Sequence, residues 1–212
     1  MAPRPPLTII KCPNVILLLH GFNSSRGNKA EEIKEFLFEN NLEKEYELIA
    51  PQLDYEPRRA IREINKIIRT NKHRKVYLIG TSLGGFYANY FRAKFSDKFL
   101  YVHSINPSWK PSQSLYPYKN QVLQNFKTEE RWEFKESYIS QFEEFENFIK
   151  SKLYSPLEKN YCIHLSKSDD VLKFDDMLHF LQKQKIAFIK KEYDSDHRFR
   201  KIKKVMELVI KV

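Results

Sequence analysis

Glycine is scarce in this chain. Five glycines among 212 residues, at positions 21, 27, 80, 84 and 85, leave few places where the backbone can adopt conformations closed to other residues. A cluster of them therefore marks a turn that the fold needs. Cysteine is scarcer still. Cys12 and Cys162 each sit in or beside an apolar run, which reads as two small buried thiols and argues against a disulfide-stapled scaffold. No stretch approaches the roughly twenty apolar residues of a membrane span, and Met1-Ala-Pro-Arg-Pro-Pro lacks the apolar core of a signal peptide; the expected location is cytoplasmic. Zinc-spaced Cys/His clusters, Walker loops and dinucleotide glycine loops are missing too, so no metal or organic cofactor is expected.

What is present describes a folded globular protein. With 42% hydrophobic, 14% aromatic and 30% charged residues, the composition suits one sizeable core, and residues 1–212 are expected to form a single domain. The net charge of +10 would favour an anionic partner. Basic residues are spread along the chain, however, and the densest group, Arg198, Arg200, Lys201, Lys203 and Lys204, borders a helical apolar pattern and reads as a solvated helix face. No nucleic-acid-binding motif accompanies the charge, and the oligomeric state is not legible.

Short aliphatic runs recur at 15–19, 46–50, 76–79, 100–105, 161–165 and 186–189, most of them apolar on both alternating faces, as suits parallel strands covered on both sides. Helical periods fall between them: Ile33, Phe36 and Leu37; Ile61, Ile64 and Ile68; Phe86, Tyr90 and Phe91; Phe174, Met177, Leu178 and Leu181; then Phe199, Ile202, Val205, Met206 and Val209. Strands alternating with helices predict an α/β three-layer sandwich with a mostly parallel sheet. Asn28 followed by Glu31 reads as the N-cap and reciprocal carboxylate of the first helix. The segment 106–157 breaks the alternation and is too long for a plain connection. It begins rich in Pro, Ser and Tyr and then carries Tyr138, Phe142, Phe145 and Ile149 on one helical face. It reads either as a helical lid insertion over one end of the sheet or as extra helices buttressing the domain.

The strongest local signal is Gly80-Thr81-Ser82-Leu83-Gly84, preceded by Val76-Tyr-Leu-Ile79 and followed by Gly85 and a helical period. This is Gly-x-Ser-x-Gly in its strand–turn–helix context, where a strained turn exposes the serine hydroxyl at the carboxyl end of a sheet. A serine hydroxyl needs a base to take its proton and donors aimed at the developing oxyanion. In such sites the acid and then the histidine follow the serine in the chain, which excludes His20 and His73. His103 and His164 lie inside strand patterns and His179 on a helix. That leaves His197, in the polar turn Asp194-Ser-Asp-His-Arg. Either Asp169 or Asp170, just after the 161–165 run, could orient its imidazole. The amides of Leu83, at the positive end of the elbow helix, and of Phe22, in the loop after the first strand, are the expected oxyanion donors.

Leu-Leu-His-Gly-Phe-Asn-Ser-Ser at 18–25, Pro51-Gln-Leu, Gly80-Thr-Ser-Leu-Gly-Gly, Asn106-Pro, Asp169-Asp-Val-Leu and Asp196-His-Arg-Phe occur in this order. Together they resemble the YqiA/YcfP-type family of small bacterial α/β-hydrolase esterases, over residues from about 14 to 200. The resemblance implies the α/β-hydrolase fold, a small-molecule acyl ester or thioester substrate, and Ser82, Asp169 and His197 as the triad, the acid standing two residues before Val171. The chain departs from the family in Ser168, where relatives tend to carry glycine, and in an aromatic and charged 106–157 segment. The alternative reading is a non-catalytic α/β-hydrolase relative that binds an anionic partner through its basic surface; such a protein is expected to have lost a triad residue.

Overall fold

The structure, a computed structural model, describes residues 12–25, 27–95, 99–154 and 160–211. The N-terminal run Met1–Pro6 and the last residues of the 106–157 segment lie outside them. In chain order the elements are β1 (Asn14–Leu19), α1 (Gly27–Glu39), β2 (Tyr46–Ile49), α2 (Pro57–Thr70), β3 (Lys75–Thr81), α3 (Leu83–Lys94), β4 (Leu100–Ile105), α4 (Pro111–Ser114), a 3₁₀ turn (Tyr116–Tyr118), β5 (Gln121–Gln124), β6 (Arg131–Phe134), α5 (Glu136–Lys152), β7 (Tyr161–Ser166), α6 (Asp175–Lys183), β8 (Ile189–Tyr193) and α7 (Ile202–Val209).

Six strands form one sheet in the order β2-β1-β3-β4-β7-β8, and every neighbouring pair is parallel. Alternate residues of each strand point to opposite faces, so a sheet covered on both sides needs continuous apolar runs, and β1, β4 and β7 have them. One face carries Val15, Leu17, Leu19, Val76, Leu78 and Val102 against the buried stripes of α2, α3, α5 and α6. The other carries Ile16, Leu18, Tyr77, Ile79 and Tyr101 against Ala30, Ile33 and Phe36 of α1 and Ile202, Val205, Met206 and Val209 of α7. The three layers expected from the sequence are these.

Four expectations are corrected. The last strand runs over Ile189–Tyr193 rather than 186–189, because β8 is a sheet edge whose Lys190, Lys191 and Glu192 face solvent, and an edge needs no apolar run. Ile186 is instead buried beside α6. Helix α1 already includes Gly27, so Asn28 lies in its first turn and is not its cap. The 106–157 segment is not wholly helical after its Pro-rich start: β5 and β6 pair as an antiparallel hairpin before α5. The alternation Arg131-Trp132-Glu133-Phe134, exposed, buried, exposed, buried, is the period-two signal that marks it. Of the basic cluster, Arg198, Arg200 and Lys201 are exposed in the loop before α7 rather than on a helix face, whereas Lys203 and Lys204 lie on α7, Lys203 pairing to Glu35 and Glu39 of α1 and Lys204 to Glu207.

Candidate active site

The elbow between β3 and α3 holds Ser82 at φ 55°, ψ −115°, a left-handed backbone that a non-glycine residue takes only when its surroundings impose it. Two backbone bonds do so: the Ser82 amide donates to Ile105 O at 2.9 Å, and Ser82 O accepts from Ser108 N at 3.1 Å. The flanking glycines allow the approach. A Cβ on Gly80 would lie 2.1 Å from Gly84 O, and one on Gly84 2.3 Å from Leu19 O. Strand, helix and neighbouring strand close on one another here with no room for a methyl group.

His197 comes from the loop between β8 and α7. Its Nε2 lies 3.2 Å from Ser82 Oγ, and its Nδ1 lies 2.8 Å from Asp169 Oδ2. The Asp169 side chain is 1% exposed and that of His197 22%. Asp169 Oδ1 accepts the amides of Val171 and Leu172, so the carboxylate is held on both oxygens. Asp170 points to solvent and does not cap α6, whose N-cap is Phe174. Of the remaining histidines, His103 and His164 are buried in the sheet and His179 is on α6.

Sequence reasoning missed a residue that helps to hold the His197 loop, together with Ser166, whose Oγ donates to Asp196 O at 2.7 Å. Asn106 (φ 41°), at the end of β4, donates its amide to His164 O and accepts from Ser166 N through Oδ1. Its Nδ2 donates to Ser166 Oγ at 2.8 Å and reaches Asp196 O and His197 O at 3.4 and 3.3 Å. The only signal was the Asn106-Pro107 pair itself. Pro107 also packs so closely on the elbow that a Cβ on Gly85 would lie 2.8 Å from it.

The loop after β1 reaches the same point. A Cβ on Gly21 would stand 3.4 Å from Ser82 Cβ and 3.9 Å from Ser82 Oγ. Leu83, first residue of α3, has an amide without an intrahelical acceptor, and the Phe22 amide has no acceptor among the described residues. Two devices fix this loop. His20 donates from Nδ1 to Gly21 O and accepts Leu53 N–H at Nε2; burial lowers its pKa, against a smaller opposing effect of the Gly21 contact, and keeps it neutral. The Phe22 ring is caged by Tyr118, Trp132 and Phe134 at centroid distances of 5.4, 5.8 and 5.8 Å. Asn23, also left-handed (φ 50°), ties the hairpin to the loop by donating to Gln124 O and accepting from Trp132 Nε1.

Beside Gly21 and Leu83 lies a cavity of about 20 Å³, walled by Phe22, Asp54, Tyr55, Tyr87 and Trp132, with room for about one water molecule. Burial, with a smaller effect of the Asp54 charge, raises the pKa of the Tyr87 hydroxyl, so that hydroxyl stays neutral. A larger open hollow of about 550 Å³ between α4 and α5 is lined by Ser112, Gln113, Tyr116, Glu143, Glu146 and Asn147. None of Ser82, Asp169 and His197 lines it.

The chain is similar in structure to Est1E from Butyrivibrio proteoclasticus (TM-score 0.65, 16% identity, 94% of this chain and 89% of that one covered). It is similar also to the S-formylglutathione hydrolase FrmB of Staphylococcus aureus (0.67, 16%, 98% and 86%) and to FphF, a fluorophosphonate-binding serine hydrolase of the same organism (0.64, 15%, 98% and 86%). The architecture is the α/β-hydrolase fold. Residues 15–212 match the uncharacterised protein family UPF0227, the YqiA/YcfP-type family, and the chain belongs to it.

Proposed function

We propose that the protein is a serine hydrolase that cleaves acyl esters or thioesters of small molecules through an acyl-enzyme intermediate. The observation that carries this reading is the unbroken chain from Ser82 Oγ through His197 Nε2 and Nδ1 to Asp169 Oδ2, at 3.2 and 2.8 Å. In this reading His197 takes the Ser82 proton as Oγ attacks the acyl carbon, and the oxyanion accepts the free amides of Phe22 and Leu83. The proton then passes from Nε2 to the departing alkoxide or thiolate. Water, deprotonated by the same imidazole, attacks the acyl-serine and releases the acid. Asp169 keeps Nδ1 protonated and stabilises the imidazolium. No step requires a cofactor. The neighbours' activities support the class: S-formylglutathione is a thioester, and Est1E has been observed with ferulic acid bound. We read the chain as one cytoplasmic domain in which the β5–β6 hairpin covers the acyl side of the site.

The test is a panel of ester and thioester substrates of graded acyl length, with a fluorophosphonate probe as readout of the serine. Wild type should be labelled and should turn over at least part of the panel, and Ser82→Ala should lose labelling and fall about a million-fold or to background. A Ser82→Ala protein that keeps a tenth of the wild-type rate would overturn the reading.

A further inference from the structure

The face of the sheet beneath α7 contains three donor groups that ester hydrolysis does not use. His103 on β4 stands opposite Cys162 on β7 in the strand register, and His164 follows Cys162 by two residues and so shares its face. Their ligating atoms lie within 4.8 Å of one another. All three residues are buried, at 3%, 3% and 0% exposure, in a layer otherwise built from apolar and aromatic side chains. His103 Nδ1 and His164 Nε2 face each other at 3.0 Å, and His164 Nδ1 meets Tyr193 Oη at 2.9 Å. Cys162 is a free thiol.

We propose that His103, Cys162 and His164 form a buried site for a monovalent thiophilic cation, Cu(I). The donor set, one sulfur and two imidazoles, is the kind that selects soft ions. Two imidazole nitrogens on one tetrahedral first-row ion stand about 3.3 Å apart when each bond is about 2.0–2.1 Å, so the 3.0 Å pair needs to open by only a few tenths of an ångström. The rigid strand pair supplies the spacing. Tyr193 supplies the outer contact that a ligating histidine needs to fix its ring and tautomer.

Charge decides between ions. On binding, the Cys162 thiol releases its proton to solvent and a Cu–S bond forms. Each ring keeps one hydrogen, on the nitrogen that does not face the ion: His103 Nε2 and His164 Nδ1, the latter donating to Tyr193 Oη, so both imidazoles remain neutral. One cation replaces one proton, and the buried charge is unchanged. A zinc ion would add a net positive charge in a place where Lys191 already acts on Cys162 and His164, and burying unpaired charge is costly.

The test uses the full chain in a Cys12→Ala background, which leaves Cys162 as its sole thiol. Cu(I) is offered anaerobically as its bicinchoninate complex, to the folded protein and during refolding from urea. The expected result is removal of one equivalent of Cu(I) from the chelator, with thiolate-to-copper absorption in the near ultraviolet. Affinity should fall about 100-fold in Cys162→Val and about tenfold or more in His103→Gln, two variants whose thermal melts report folding independently. Uptake no greater than that of Cys162→Val in both loading protocols, or stoichiometric uptake of Zn(II) in preference to Cu(I), would overturn the proposal. Neither readout depends on ester hydrolysis.

Discussion

The ring of Tyr55 lies on that of Trp132 with centroids 4.1 Å apart and planes 9° from parallel. The contact joins the loop after β2 to the β5–β6 hairpin, and together they close the cavity beside Ser82. In the proposed reaction an acyl chain entering there would meet the Trp132 face after very few carbons. Trp132→Ala should therefore raise kcat/KM for an octanoyl ester relative to an acetyl ester by about tenfold or more, at a cost of about 3 kcal/mol in stability. An unchanged chain-length ratio, measured on folded variant, would remove Trp132 from the acyl wall.

The two adjacent aspartates have distinct surroundings. Asp169 is held by His197 and two backbone amides, whereas Asp170 is exposed. Asp169→Asn should reduce kcat about 10⁴-fold by favouring the wrong imidazole tautomer, and Asp170→Asn should stay within about twofold of wild type. The reverse pattern in steady-state kinetics would transfer the role to Asp170.

Two glycines near Ser82 should respond differently to alanine. At Gly80 the added methyl meets backbone at 2.1 Å, and the elbow must deform, costing about 3 kcal/mol or more in urea unfolding. At Gly21 the methyl finds ordinary contact distance but stands 3.9 Å from Ser82 Oγ. Gly21→Ala should melt within about 0.5 kcal/mol of wild type and yet lose at least about tenfold in kcat/KM. A fully active Gly21→Ala would mean that acyl groups approach from elsewhere.

His20 links acidity to the loop after β1. Its folded-state pKa is lowered from 6.5 by burial, so the unfolded chain binds the proton first. The stability that the neutral ring confers is fully present above pH 6.5 and is lost as pH falls below it, by at most about 1.4 kcal/mol per pH unit. Urea midpoints measured from pH 7 to pH 5 should decline less steeply in His20→Gln than in wild type. Parallel slopes would contradict this account.

The sequence carried the elbow plainly because its geometry can be built only from glycine at Gly80 and Gly84, and it pointed to His197 because chain order set aside His20 and His73 while His103, His164 and His179 fell in strand or helix patterns. Asp169 and Asp170 could not be separated by position alone; the family pattern chose Asp169, whose Oδ2 lies 2.8 Å from His197 Nδ1, while Asp170 is exposed. Strand β8 was misplaced because a solvent-facing edge strand has the composition of a loop, and the β5–β6 hairpin was missed because only β6 alternates, while β5 is exposed along most of its length. The structural work of Asn23 and Asn106 was illegible for another reason. Each is one polar residue whose partners lie far off in the chain, 101 residues for Asn23 to Gln124 and 60 for Asn106 to Ser166, and no local pattern encodes such a bond.

The bonds of Asn106 also set an order of assembly. They span the ends of β4 and β7 and the loop that bears His197, which β7 also holds through Ser166 Oγ to Asp196 O at 2.7 Å, so the loop reaches its place beside Ser82 only when β7 has paired with β4. Ser82 and His197 are 115 residues apart, and strand pairings of long sequence separation form slowly. A refolding chain should thus regain helical circular dichroism before it can react with a fluorophosphonate. In the proposed mechanism a polypeptide still emerging from the ribosome would carry Ser82 long before His197, and so would remain chemically silent until the loop after β8 has been made.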